Sequence, residues 1–473
     1  MKTVRLFWVL ATLIATAAPA AAAQFEFHGD MNNRFLIYTN RHDWLNNEQA
    51  GTIEDKTVSA TYGELKYRFW FEASDDNDNV KGVYAIEIGG VRFGREGTGR
   101  SQGGSYSGDG ANVETRWAYL DFQTPGIDAK ARWRMGLFTW NINSFLWSET
   151  ATGISLSGAA GDMVDYQVGW IRTVDKLPRD SDDNDLDDVD NFLGRVNFKP
   201  VDKLTIGLFG LWVTGDGDRG SANPVTLTPR GYELKQFASN AKLNYVNLGI
   251  DGSYSIGNVF FNWDLIYQTG KIEDVLFDDT EFSGQTSTDT DFDLNAYFIH
   301  ADVGYKLNKH KFTYTFWYAS GDDDPQDDDF KGFLAIDVDR DDNLSLFEGL
   351  YVDDATYFTE RPYMLDKGFI MNKLAWEYKW TEKLTVGAAG MYMMTAEDID
   401  YVDGNGSNQS ENVIGVELNA FFKYMLFKNV ELAVNAGYLF SGDAMDAFES
   451  DDIKDGNADE DIFGSSARVR YRF

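Results

Sequence analysis

The chain has 473 residues, with 76 acidic against 42 basic side chains, a formal charge of -34 and no cysteine. So acidic a chain is a poor partner for nucleic acid, and one without cysteine is no disulfide scaffold and must draw its stability from the fold itself. Aromatic residues make up 15% of it, yet past the first two dozen residues no stretch offers the roughly 20 successive apolar residues of a membrane helix.

In chain order, the first element is a leader. Lys2 and Arg5 precede an apolar run from Leu6 to Ala18 that is too short to cross a bilayer as a helix. Pro19 breaks it, and Ala21, Ala22 and Ala23 supply the small residues that a signal peptidase needs. This predicts a cleavable secretory signal over residues 1–23 and one mature unit over 24–473. Loss of Lys2 and Arg5 makes the mature chain two charges more negative.

The mature chain reads as strands. In Glu64 to Ala73, Leu65, Tyr67, Phe69 and Phe71 share one face, and Glu64, Lys66, Arg68 and Glu72 the other. In Lys130 to Phe138, Ala131, Trp133, Met135 and Leu137 oppose Lys130, Arg132 and Arg134. Thr150 to Thr173 reads as a short strand near Ile154, a turn near Gly161 and a second strand from Met163. Phe261, Trp263, Leu265 and Tyr267 oppose Asn262, Asp264 and Gln268. Ile414, Val416, Leu418, Ala420, Phe422 and Tyr424 oppose Glu417, Asn419 and Lys423. A soluble sandwich alternates too, but the connections fall into two classes. Short turns at Thr124–Asp128, Lys199–Lys203, Leu307–His310, Trp380–Lys383 and Leu426–Asn429 alternate with long polar loops. The loops run over Asn40–Ala60, Gly94–Asn112, Val174–Asp190, Gly215–Lys235, Gly270–Asp291, Gly321–Asp366, Ala396–Asn412 and Gly442–Asp461. That asymmetry predicts an all-β, transmembrane antiparallel β-barrel of about 18 strands, or 16, with short periplasmic turns and long acidic outer loops.

The chain ends on Ser466 to Phe473, in which Ala467, Val469, Tyr471 and Phe473 alternate with Arg468, Arg470 and Arg472. A last strand with Tyr471 and a terminal Phe473 resembles the signal that outer-membrane barrels present to their assembly machinery. With leader, alternation and loops, the chain resembles a Gram-negative porin, of the kind found in sulfate-reducing and related bacteria. The resemblance implies an outer-membrane location, a homotrimer, and a third outer loop folded into a water-filled channel for ions and small hydrophilic solutes. That loop would be Thr139 to Thr150, with Asn141, Asn143, Trp147 and Glu149. It lacks the acidic, Gly-containing character common in the constriction loops of general porins.

Candidate site residues follow from the faces. Lys66 and Arg68, with Lys130, Arg132 and Arg134, would form a basic lumen wall opposite Glu149 and set a transverse field. Inward Trp70 and Trp317 would serve a substrate-specific channel. The acidic outer loops would share divalent cations with lipopolysaccharide, and they give mild cation preference or, as a further alternative, an adhesin on a barrel anchor. Asp337, Asp339, Asp341, Asn343 and Glu348 stand in the register of an EF-hand calcium loop, with Asp342 where Gly belongs. No enzyme motif is present: the four histidines, His28, His42, His300 and His310, form no close pair.

Overall fold

The computed structural model describes residues 24–39, 60–96, 104–105, 111–126, 131–175, 188–216, 225–226, 241–274, 277–279, 285–286, 291–324, 327–336, 366–448 and 461–473. The leader, Lys130 and the whole EF-hand-like segment lie outside them.

Eighteen long strands follow in order: β1 (Gln24–Thr39), β2 (Ala60–Ser74), β3 (Val80–Arg92), β4 (Val113–Gln123), β5 (Ala131–Asn143), β6 (Trp147–Ala160), β7 (Val164–Val174), β8 (Val189–Phe198), β9 (Leu204–Asp216), β10 (Lys242–Ile256), β11 (Val259–Glu273), β12 (Phe292–Leu307), β13 (His310–Ala319), β14 (Phe369–Lys379), β15 (Leu384–Val402), β16 (Asn408–Phe427), β17 (Val430–Ser441) and β18 (Ile462–Arg472). Each pairs antiparallel with the next, and β18 returns to β1 from Asp30↔Arg472 to Thr39↔Phe463. The sheet is therefore a closed barrel of 18 strands, the larger of the two expected numbers. Closure leaves no edge, so backbone groups are paired strand to strand, which a lipid environment demands.

The outward face is apolar. On β12, for example, Tyr297, Val303, Tyr305 and Leu307 are exposed to the exterior. Several outward aromatics satisfy their polar tips on the neighbouring strand. Tyr67 Oη donates to Asn33 Oδ1 at 3.0 Å, Trp212 Nε1 to Asn244 Oδ1 at 3.0 Å, and Tyr314 Oη to Asn372 Oδ1 at 2.7 Å. Such amphipathic rings suit a membrane exterior. Phe473 closes the seam: its backbone exchanges two 3.0 Å bonds with Gly29, and its ring covers Gly29 beside Phe27 and Tyr471.

Two expected loops are not loops. Ala396–Asn412 is largely strand, because β15 and β16 stay paired from Ile399↔Glu411 to Val402↔Asn408. Asp403 turns the chain by accepting the Asn405 and Ser407 N–H groups and the Gln409 side chain, and these bonds, Ser407's first, hold its carboxyl below the usual range. The stretch reads as loop because Glu397, Asp398, Asp400 and Glu411 interrupt its alternation, although Ile399 and Tyr401 point inward and are buried. Thr139–Thr150 is likewise a hairpin whose turn is only Ser144–Leu146, between β5 and β6. The region Thr150–Thr173 does divide at Gly161, but its first strand, β6, has 14 residues.

The inward face divides by height. Its periplasmic half is polar. Its outer half is largely apolar: Leu211 and Val213 on β9, Tyr245 on β10, Phe298 on β12, Trp317 on β13 and Met393 on β15 are all buried in one cluster. These side chains pack into an apolar cluster and narrow the interior there.

Candidate functional site: a hairpin across a charged lumen

One wall of the lumen is a ladder of cations, built by period-two alternation on β18 and β1 to β5. Each rung is tied to carboxylates. Arg470 and Arg472 share Asp30, Arg468 bonds Glu431 at 2.6 Å, and Arg34 meets Glu64 at 2.7 Å. Glu87 takes three cations: Arg68 at 2.5 Å, Lys66 at 3.3 Å and Arg116 at 3.6 Å. Asp121 takes Arg132 at 2.6 Å and Arg134 at 3.0 Å. The structure places Lys66, Arg68, Arg132 and Arg134 on this inward face, each of them paired with a carboxylate. Its positive character comes from rungs with two or three cations per carboxylate. Arg134 also lies over the Tyr119 ring, 4.7 Å from its centroid, and Trp70 stacks on His28 and meets Trp117 edge-on. Arg116, which joins the ladder to Glu149 at 3.3 Å, and Arg34 are members that the sequence does not single out. A bulge between Ala85 and Ile86 shifts the register beside Arg116.

The β5–β6 hairpin leaves this side of the barrel and crosses the lumen. Trp140 lies flat on its own wall, over Gly153 and Gly169, where any side chain would collide with the ring. Beyond it the tip reaches β10 to β13. Phe145, 1% exposed, packs on Phe298 at 4.8 Å, His300 at 4.4 Å and Trp317 at 4.8 Å between ring centroids. Asn143 Nδ2 donates to Asp264 Oδ1 at 2.7 Å, and its Oδ1 accepts the Phe145 N–H. Arg195 donates to the Ile142 carbonyl at 2.9 Å and forks onto Asp251. His300 stands between Asp264 (2.9 Å) and Asp302 (3.4 Å), and Asp302 accepts Thr315 Oγ1 at 2.6 Å. The far wall therefore carries three carboxylates, each bonded to the hairpin or to its supports.

A second segment fills the space above. Past β13 the chain turns inward, so that Leu334 exchanges two bonds with the Gln268 side chain, Phe333 packs on Phe298, and the Ile336 N–H donates to the Leu146 carbonyl at 2.9 Å.

Of the predicted constriction residues, Asn143 and Trp147 are buried, with Asn143 at the far wall. Asn141 is exposed and accepts from Ser148 Oγ. Glu149 sits beside the ladder, paired with Arg116, and does not oppose it across the lumen. Trp317, expected to line the channel, is buried under Phe145. Phe145 itself, Asp251 and Arg195 are not singled out by the sequence, although W-N-I-N-S-F-L-W is a conspicuously apolar tip for a loop. Asp337, Asp339, Asp341, Asn343 and Glu348 lie outside the described residues, as does Lys130.

No protein-family model and no curated protein sequence matches the chain. Solved structures do. The chain is similar to the outer membrane protein OprD from Pseudomonas aeruginosa (12% identity, 97% of this chain and 95% of that one, TM-score 0.51). It is also similar to OccK8 (OprE) of the same organism (11% identity, 95% and 98%, TM-score 0.52). A third is P. aeruginosa OpdL (10% identity, 95% and 99%, TM-score 0.51). At these identities the likeness shows the fold: a closed antiparallel barrel of the Gram-negative outer-membrane type.

Proposed function

We propose that the protein is a substrate-selective diffusion channel of the Gram-negative outer membrane, passing small hydrophilic solutes and favouring anions. The observation that carries this reading is the hairpin that crosses the lumen between a cation-rich ladder and a wall of tethered carboxylates. A hairpin anchored at both ends narrows the path to the ladder side, and a solute there meets Arg132, Arg134, Arg68 and Arg116. Arginine remains charged at any working pH, and a narrow lumen beside an apolar core weakens dielectric screening. Charge on the walls of such a path selects among ions. The likeness to OprD, an outer membrane protein, supports the location. A general, weakly selective porin would hold a wider aqueous lumen, and the narrowed outer half of this barrel speaks against that reading. The acidic outer loops would favour cations at the mouth, but charge there is screened by salt over about 10 Å.

Planar-bilayer recording tests the reading. A small conductance with a reversal potential on the anion side is expected under a salt gradient. A large, weakly selective conductance would return the general porin, and a reversal potential on the cation side would show that the loops outweigh the ladder.

A further inference from the structure

At the outer rim, two carboxyl groups take no part in the constriction. Asp322 follows the end of β13 and Asp366 precedes the start of β14. They are 3% and 4% exposed, and the Oδ1 atom of each has no hydrogen-bond partner. Their backbones are joined, Asp322 N–H donating to the Asp366 carbonyl at 2.7 Å. Lys367 Nζ donates to the Asp322 carbonyl at 2.8 Å and stands 3.4 Å from Asp366 Oδ2. The Lys367 ammonium thus meets the Asp366 carboxyl and the Asp322 backbone, and it is the cation in nearest contact with this buried pair among the described residues. Among the described residues, the other charged groups nearby are engaged with one another: Lys331 bridges Asp323 at 2.5 Å and Asp327 at 3.7 Å and also bears on Asp322, and Glu397 stands near Asp323, Lys367 and Lys331.

This pair sits at the root of the segment that enters the lumen. A Cβ on Gly332 would lie 3.0 Å from the Asp366 carbonyl oxygen, and one on Gly321 would lie 2.3 Å from that of Lys367. Ser320, two residues before Asp322, donates to the Lys331 carbonyl at 2.7 Å and accepts the Phe333 N–H at its own carbonyl at 3.0 Å. From Phe333 the chain runs to Leu334 on Gln268 and Ile336 on the hairpin tip. Whatever opens the joint between Asp322 and Asp366 loosens that insertion.

We propose that the Asp322–Asp366 pair is a proton-binding site that clamps the lumen-inserted segment, so that protonation locks the constriction and ionisation releases it. The effect on conductance rests on the channel reading above; the clamp itself does not. Burying two carboxylates beside one ammonium leaves a net charge without water, and a proton removes it. Consistently, burial first and the Asp366 carboxylate second push the Asp322 carboxyl up to about 8, against the pull of Lys367, and burial pushes Asp366 up as well. In the released segment both carboxyls return to a solvated value of about 3.9. The clamp is thus fully present below about pH 4 and weakens as pH rises through about 8, by up to tenfold per pH unit for each proton released.

The test follows two readouts in EDTA from pH 4.5 to 9: single-channel conductance, and amide exchange of residues 327–336 corrected for intrinsic rate. Both are expected to rise with pH in the wild type. In Asp322→Asn/Asp366→Asn, where neutral amides replace the acids, both should stay at the wild type's acid level throughout. Asp322→Asn alone should flatten most of the rise, and it decides the matter if the double variant does not fold. An equal rise in the variants, or none in the wild type's exchange, overturns the clamp. Loss of the wild-type rise on chelation alone would make the ligand a metal and overturn it too. Absence of conductance at every pH would sink the channel reading while leaving the exchange test of the clamp intact.

Discussion

Phe145→Ala isolates the contact that carries the hairpin across the lumen. The ring is 1% exposed and meets three rings on the far wall, at 4.4–4.8 Å between centroids. Truncating a buried Phe to Ala costs about 3–5 kcal/mol, including the cavity left behind. Here the loss falls on the inserted state of the tip, since a withdrawn tip has no such contact to lose. The remaining tethers include the Asn143 bond to the Asp264 carboxylate, worth about 1.5–3 kcal/mol as a hydrogen bond to a charged group, the Arg195 bond to the Ile142 carbonyl, and the backbone bond from Ile336 to Leu146. A shift of about 3 kcal/mol multiplies the withdrawn fraction on the order of 100-fold. If the inserted state leads by less than that, the hairpin leaves the lumen most of the time. Bilayer recording should then show a larger conductance and a reversal potential closer to zero, in a barrel that still resists detergent at room temperature. Unchanged conductance and selectivity in a folded Phe145→Ala barrel would mean that the hairpin tip does not set the constriction.

The ladder can be weighed rung by rung. Arg132→Gln with Arg134→Gln leaves Asp121 without its cations and should move the reversal potential toward cations, whereas Asp121→Asn should move it toward anions; equal shifts of one sign would refute a charge-based selectivity. Gly153→Ala places a Cβ 2.4 Å from the Trp170 carbonyl oxygen and 2.7 Å from the Trp140 ring. Overpacking of this kind costs about 1–3 kcal/mol, so a lowered urea midpoint is expected, and an unchanged one would show that the Trp140 seat is not fixed. Gly29→Val places a Cβ 2.4 Å from the Phe473 ring and should lower the yield of folded barrel, measured as the heat-modifiable band on a gel. Normal yield would detach Phe473 from barrel closure.

The barrel was legible because lipid imposes a simple rule. Outward positions must be apolar along every strand, so Leu65, Tyr67, Phe69 and Phe71, or Phe261, Leu265 and Tyr267, declare their face without reference to any partner. The lumen obeys no such rule. Alternation says that Trp317 or Phe298 points inward, but whether it meets water or another segment depends on what the loops do. The hairpin tip did carry a signal, since Trp140, Ile142, Phe145, Leu146 and Trp147 would expose a costly apolar surface as a free loop. Its target, on strands more than a hundred residues away, had none. Pairing within the ladder was equally hidden, because Arg132 and Arg134 find Asp121 through strand register and not through sequence spacing.

On the channel reading proposed above, the two inserted segments and the ladder would divide the labour of selection. Asp264 is held by Asn143 and His300, Asp251 by Arg195, and Asp302 by Thr315 and His300, so the far wall spends its charge on anchoring the hairpin. The ladder's carboxylates are outnumbered at Asp30, Glu87 and Asp121, so its cations retain a surplus. On that reading a solute excluded from the far side by Phe145 would travel along the surplus, and the apolar core above would strengthen its field by displacing water. Selectivity and obstruction thus depend on each other: withdrawing the hairpin widens the path and admits the water that screens the ladder. Phe145→Ala should accordingly reduce anion preference even though it removes no charge, which separates this account from one in which the ladder selects by charge alone.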